Sequence, residues 1–253
     1  MARRRDSVVG GAWGFALLSA RRMPATSLGA TALTMQPELK ALALDIRDVS
    51  KRYGPRWALS RLTYSLPVGV SLLLTGHNGS GKSTLLRVIA TSTSPTAGGL
   101  SVLGLDAAKE REAVRRKVAL LSHSSFLYED LTAEQNLLLL ARLLGVAKPR
   151  DAAGALLSKV GLGTRAHHAV RTFSAGMRKR LAIARVLLKQ PRLALLDEPF
   201  GELDPAGISD MEKIIGEMQT KGTSVVLATH LIEQGRALTQ RRLHLREGRA
   251  VSA

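Results

Sequence analysis

A chain of 253 residues, 45% of them hydrophobic, holds enough apolar material for one large domain or a core with a small subdomain, and the absence of cysteine excludes disulfides, thiolate chemistry and cysteine-based zinc sites. A formal net charge of +17 points to an anionic partner or surface, yet only 4% of the residues are aromatic, so binding of single-stranded nucleic acid on stacking platforms is not expected. No apolar run reaches the roughly 20 residues that a membrane-spanning helix needs.

Residues 1–36 read as a disordered basic extension, with a membrane-surface tether as the functional alternative. Arg3, Arg4 and Arg5 precede a short apolar stretch over 7–20, in the manner of a signal peptide. Arg21 and Arg22 then stand where a small-residue cleavage site would be. Met35 is an alternative start just before the first structured strand.

Organised sequence begins near Ala41. Residues 41–54 alternate apolar and polar like a strand and turn at Gly54-Pro55, and 57–66 read as a second strand. The run 70–75 (VSLLLT) is short, apolar and followed by a glycine-rich loop, after which 82–90 has helical spacing. From about 106 to 190 the chain reads as mostly helical. Thr132 and Gln135 have the spacing of a capping box, the helix over 137–144 stops at Gly145, and another helix covers 152–160. The unbroken apolar run 193–197 reads as a buried parallel strand. Asp204-Pro205 opens a helix, 223–229 is a further buried strand, and a hairpin turns at Glu247-Gly248.

Two motifs carry chemistry. Residues 76–83, Gly-His-Asn-Gly-Ser-Gly-Lys-Ser, match G-x-x-x-x-G-K-[ST] between a buried strand and a helix. Glycines there let backbone N–H groups curl around phosphate oxygens, and the helix N-terminus adds partial positive charge. Gly76, His77, Asn78, Gly79, Ser80, Gly81, Lys82, Ser83 and Thr84 are therefore the expected ATP-binding residues, with Lys82 on the β- and γ-phosphates and Ser83 on Mg²⁺. The second motif is Asp197-Glu198 at the end of an apolar strand, where an acidic pair is costly unless it has a task. Asp197 suits Mg²⁺ and Glu198 suits a general base for the attacking water. The bland alternative is a pair of capping carboxylates.

A family resemblance follows from the order of parts. Phe173-Ser-Ala-Gly-Met177 before a basic helix resembles the signature motif of the ABC ATPases, which reads L-S-G-G-Q. Tyr53, the phosphate loop, a helical insert, the signature, the acidic strand, Glu202-Leu-Asp204 and His230 follow in the family's order over about residues 41–252. The resemblance implies an α/β P-loop NTPase core with a helical subdomain at about 106–190 and an N-terminal antiparallel β part, together making an ATPase domain over 37–253. It implies two copies packed head to tail over two ATP molecules, with Ser174, Ala175, Gly176 and Met177 of one copy facing the γ-phosphate on the other. It also implies that Tyr53 stacks on adenine (a core tyrosine is the alternative), that His230 is catalytic beside Glu198, and that Asp204 couples the halves.

Ala175 and Met177 depart from the signature, and His123 stands where the family's Q-loop has glutamine. The loop at Phe126, Leu127 and Tyr128 is a candidate docking surface for an integral-membrane permease at the cytoplasmic face of the cell membrane, the alternative being that these residues pack in the core. The runs around 122–134, 173–177 and 197–201 are similar to haem-exporter ATPases of c-type cytochrome maturation. The alternative cargo class is a drug, lipid or polysaccharide. A DNA-repair ABC protein would carry a coiled-coil insertion, a translation factor two ATPase halves, and a P-loop kinase neither the signature nor His230.

Overall fold

The computed structural model describes residues 41–122 and 126–251. The basic extension at 1–36 and the Q-loop position His123 lie outside the described residues. In chain order the elements are β1 (Leu42–Tyr53), β2 (Arg56–Pro67), β3 (Leu72–Thr75), α1 (Lys82–Ile89), β4 (Ala97–Val102), β5 (Leu105–Asp106), α2 (Arg111–Lys117), β6 (Val118–Leu121), α3 (Ala133–Leu143), α4 (Pro149–Lys159), α5 (Ala175–Lys189), β7 (Leu193–Asp197), α6 (Pro205–Thr220), β8 (Ser224–Ala228), α7 (Ile232–Ala237), β9 (Arg241–Arg246) and β10 (Arg249–Val251).

They form two sheets. One is antiparallel, in the order β2-β1-β4-β5; the other has the order β10-β9-β3-β8-β7-β6, parallel except for the β9–β10 hairpin at its edge. The unbroken apolar runs of β3, β7 and β8 have a two-residue logic, since successive side chains point to opposite faces. Leu72, Leu74, Leu193, Leu195, Val226 and Ala228 join a core with β1, β2 and α1. Leu73, Ala194, Leu196, Val225 and Leu227 join the other core, with α3–α6. A strand covered on both faces has no polar positions to alternate, which is why these segments read as continuous apolar runs.

The helical part consists of α3, α4 and α5, which pack on one another, with α5 also resting on β6. The range 106–190 read as helical thus contains a core strand, because β6 pairs in parallel with β7 from Val118↔Leu193 to Leu121↔Leu196. Four residues between α2 and a loop are too short for periodicity to announce a strand. Of the candidate docking loop, Phe126 (66% exposed) and Tyr128 (58% exposed) face outward, whereas Leu127 packs against the helical core. No helix among the described residues is long and apolar enough to cross a membrane.

The capping box ahead of α3 is formed in both directions: Gln135 N–H donates to Thr132 Oγ1 at 3.1 Å and Thr132 N–H donates to Gln135 Oε1 at 2.8 Å. Thr132→Ala removes one of these bonds and is expected to lower stability by about 1 kcal/mol, read as a lower urea midpoint. An unchanged midpoint would mean that the helix start is held by tertiary packing alone.

Candidate functional site

The parallel sheet gathers the chemistry at one edge. Ala228 pairs with Leu74 on one side and with Asp197 on the other. The loop after β3, the acidic pair ending β7 and His230 just beyond β8 therefore leave the sheet side by side, at the carboxyl ends of its strands, where open α/β sheets bind ligands.

The phosphate loop is held by close backbone packing. Gly76, Gly79 and Gly81 have φ of 143°, 80° and 108°. A Cβ on Gly76 would lie 2.3 Å from the Leu245 carbonyl oxygen, and one on Gly81 would lie 2.5 Å from that of Ala58. Gly248, in the β9–β10 turn, is equally confined, at 2.7 Å from the same Ala58 oxygen. Gly248 N–H donates to the Ser80 carbonyl at 3.0 Å, and Ser60 N–H donates to the Gly248 carbonyl at 2.8 Å. The loop is thus clamped between β2 and the C-terminal hairpin.

The first turn of α1 has neither a side-chain cap nor an acidic residue. Leu85 N–H donates to the Gly81 carbonyl at 2.8 Å, so the amides before it point out of the helix end, as at every helix start. Ser80 Oγ is buried without a hydrogen-bond partner. Lys82 Nζ donates to the carbonyls of Gly76 (2.7 Å) and His77 (3.1 Å), which fixes its charge over the loop. Ser83 and Thr84 are half-buried in the first turn, while His77 and Asn78 are exposed. Outward amides, an ammonium group and no nearby carboxylate in that turn make a cradle for a polyphosphate.

At the neighbouring strand end Asp197 is 5% exposed and Glu198 adopts φ +51°. A left-handed backbone is unfavourable by about 1–2 kcal/mol for a residue with a Cβ, and here three ties hold it. Glu198 N–H donates to the Ala228 carbonyl at 2.8 Å, Lys179 Nζ donates to the Glu198 carbonyl at 3.2 Å, and Glu198 Oε2 accepts from His230 N–H at 3.2 Å. His230 Nδ1 lies 2.9 Å from the same carboxylate oxygen. A carboxylate only accepts, so Nδ1 carries the proton and Nε2 of the neutral ring is left free as an acceptor. The His230 side chain is 69% exposed, open to a ligand on its far side.

A second helix N-terminus lies in a cleft of about 460 Å³ lined by Ser174, Gly176, Met177, Arg180, Leu203 and Asp204. Ser174 caps α5 by accepting from Met177 N–H at 3.2 Å, and Asp204 caps α6 by accepting from Gly207 N–H at 2.9 Å. A Cβ on Gly176 would sit 2.9 Å from the Glu202 carbonyl oxygen, so the signature turn and the Asp204 loop touch through backbone. Arg180 reaches both Asp204 (3.8 Å) and Asp210 (3.7 Å). Met177 packs against the helical core, which explains an apolar residue where the family pattern has glutamine. Ala175 is half-buried in the first turn of α5.

Tyr53 is 48% exposed at the tip of the β1–β2 hairpin, with Lys51 Nζ 5.0 Å from its ring centre, so the core-tyrosine alternative does not hold. Sequence reasoning missed Ala58, Lys179 and Gly248. Gly248 was legible only as a hairpin turn, and Lys179 only as one cation in a basic helix. For Mg²⁺ the donors Ser83 and Asp197 fit. Magnesium takes hard oxygens, keeps several waters and shares phosphate ligands, so it needs no cage of three or more His, Cys, Asp or Glu residues, and none occurs among the described residues.

Residues 59–201 match the family described as ABC transporter. The chain is 36% identical over 212 residues to a daunorubicin resistance ATP-binding protein of Streptomyces coeruleorubidus, covering 83% of this chain and 67% of the relative. It is 33% identical over 191 residues to a lantibiotic transport ATP-binding protein of Streptococcus pyogenes, covering 76% and 81%. A Nod factor export ATP-binding protein of Rhizobium etli is 32% identical, covering 83% and 67%. Among solved structures, an ATP-binding subunit of an ABC transporter superposes with a TM-score of 0.77 at 30% identity, over 83% of this chain and 88% of that one. An ATP-binding cassette solved as a dimer bound to ADP and Pi has the same TM-score at 25% identity, over 83% and 97%.

The first two glycines of the loop separate steric from conformational need. Gly76→Ala drives a Cβ into backbone and is expected to abolish ATP binding in calorimetry. Gly79→Ala meets nothing within 4 Å and carries only the left-handed penalty of about 1–2 kcal/mol, so it keeps measurable binding. Equal losses in the two variants would contradict the clamp.

Proposed function

The chain belongs to the ABC transporter family of ATP-binding, ATP-hydrolysing proteins, and on that premise we propose that it is the ATPase subunit of an exporter for drug-like, lipid or polysaccharide cargo. The observation that carries the enzymatic reading is the shared register at Ala228, which sets the phosphate loop, Asp197-Glu198 and His230 side by side. The cargo class rests on relatives named for daunorubicin resistance, lantibiotic transport and Nod factor export. Likeness of short runs alone favours haem export, and none of these relatives carries a haem-export name, so the alternative cargo class is preferred.

In this reading Tyr53 stacks on adenine, the amides of 77–84 wrap the phosphates, and Lys82 neutralises the β- and γ-oxygens. Ser83 and Asp197 would hold Mg²⁺, which, when bound, screens the phosphate charge. Glu198 accepts the proton of the attacking water as its oxygen bonds to the γ-phosphorus and the bond from that phosphorus to the β–γ bridging oxygen breaks, releasing ADP. His230, held to Glu198 through Nδ1, keeps base and water aligned. The cleft at Ser174, Ala175, Gly176 and Met177 is a helix N-terminus without a phosphate loop of its own, so it serves the ATP of a second copy, and Asp204 beside it couples the two sites. Residues 37–253 act as the ATPase domain, and its helical part, through Phe126 and Tyr128, docks on a permease at the cytoplasmic face of the membrane.

Glu198→Gln is expected to keep ATP affinity while hydrolysis falls about 10²–10⁴-fold, in line with loss of a positioned base. Wild-type turnover in that variant would remove Glu198 from the chemistry. For the cargo, ATPase activity of the subunit reconstituted with its permease in vesicles should rise with daunorubicin and stay flat with haemin; the reverse pattern would restore the haem reading.

A further inference from the structure

A groove of about 560 Å³ lies between the helical part and the sheet core, and none of its lining residues belongs to the phosphate loop, the acidic strand end or the Ser174 cleft. Its size falls within the roughly 300–1,000 Å³ usual for small-molecule sites. The floor is apolar, formed by Leu156 of α4, Leu187 of α5 and Met218 of α6. Leu156 and Leu187 pack on the helical core but are only partly buried, so they leave apolar surface open to the groove.

The rim is strongly unbalanced in charge. Lys159, Arg192 and Lys221 face a single carboxylate, Glu217. Lys159 is already committed to Glu217 in an ion pair that ties α4 to α6. That bond, with the charge of Lys221 nearby, holds the Glu217 carboxyl below the usual carboxylate range, so it stays ionised. Arg192 and Lys221 are exposed, and neither has an ion-pair partner among the described residues. One further feature marks the same rim. Gln190 ends α5 in a left-handed conformation, φ +49°, where glycine is the usual cap. Backbone strain of this kind persists where surroundings enforce it and clusters at ligand clamps.

We propose that this groove binds a single-chain amphiphile with one anionic head group, its apolar body on Leu156, Leu187 and Met218 and its head between Arg192 and Lys221. Two positive charges beside an apolar floor select against cations and against purely polar anions. The groove is walled by α4 and the end of α5 on one side and by α6 on the other, and the Lys159–Glu217 pair closes the same seam. Occupancy therefore fixes how the helical part rests on the sheet core, which makes the groove a regulatory input separate from the ATP site and independent of the assigned cargo.

The test is calorimetric titration of the full chain, without nucleotide, with decanoate, decyltrimethylammonium and inorganic phosphate. Decanoate should bind saturably at one site, while the cation of equal tail length and free phosphate should not. Arg192→Glu with Lys221→Glu, both at exposed positions, should weaken decanoate about tenfold or more by charge reversal. Leu156→Trp, at a partly buried position that lines the groove, should block binding by filling it. Equal binding of decanoate and decyltrimethylammonium, phosphate binding as tightly as decanoate, or unchanged decanoate affinity in the charge-reversed protein would each overturn the proposal.

Discussion

Everything at the nucleotide end of this molecule depends on a backbone contact with no room for a side chain. Gly76 and Gly81 lie against the carbonyls of Leu245 and Ala58, and Gly248 lies against Ala58 as well. Three stretches far apart in sequence, near 58–60, 76–81 and 245–248, thereby become one object. The contact leaves the loop's amides directed outward at the start of α1. An anion site made of amide groups works only if enough of those groups are left by the protein itself: Ser80 N–H is taken by the His77 carbonyl at 3.1 Å, while the amides ahead of Leu85 at the start of α1 point out of the helix end. Lys82 is held in the same way, by two loop carbonyls, so its charge is in place before a ligand arrives.

The sheet sets that local cradle beside the acidic pair and His230. Parallel strands in register end together, so the residues that follow β3, β7 and β8 share one edge. Glu198 is the place where this arrangement is strained. Its left-handed backbone is kept by its amide and its carboxylate, both tied to residues 228–230 at the end of β8, and by its carbonyl, tied to Lys179 of α5. Strain over-determined by its surroundings suits the proposed role of Glu198 as base, because its carboxylate would need little rearrangement to take a proton from the attacking water.

Much of this was legible beforehand, and the reasons are physical. The glycine loop, the acidic pair and the caps at Thr132 and Asp204 are local, and local chemistry writes itself into adjacent residues. Both caps formed as their spacing implies. What escaped was non-local. β4 reads as two glycines, a serine and three apolar residues, and its pairing with β1 and β5 makes it a strand. β6 is four residues long and owes its state to β7. For Tyr53 the sequence left a core position open as the alternative to stacking on adenine, and only the projecting hairpin tip shows the ring to be exposed. Gly248 looks like an ordinary turn until its neighbour proves to be the phosphate loop.

The central claim is that the Ser174 cleft of one copy completes the phosphate cradle of another. The chain contains no cysteine, so engineered thiols report without background. The decisive measurement mixes one preparation carrying Asn78→Cys with another carrying Ala175→Cys, adds ATP and a mild oxidant, and reads covalent dimers on a denaturing gel. The account predicts a cross-linked dimer that requires both variants and depends on ATP. No covalent dimer from the mixed preparations, or one that forms equally well in either preparation alone or without ATP, would contradict it.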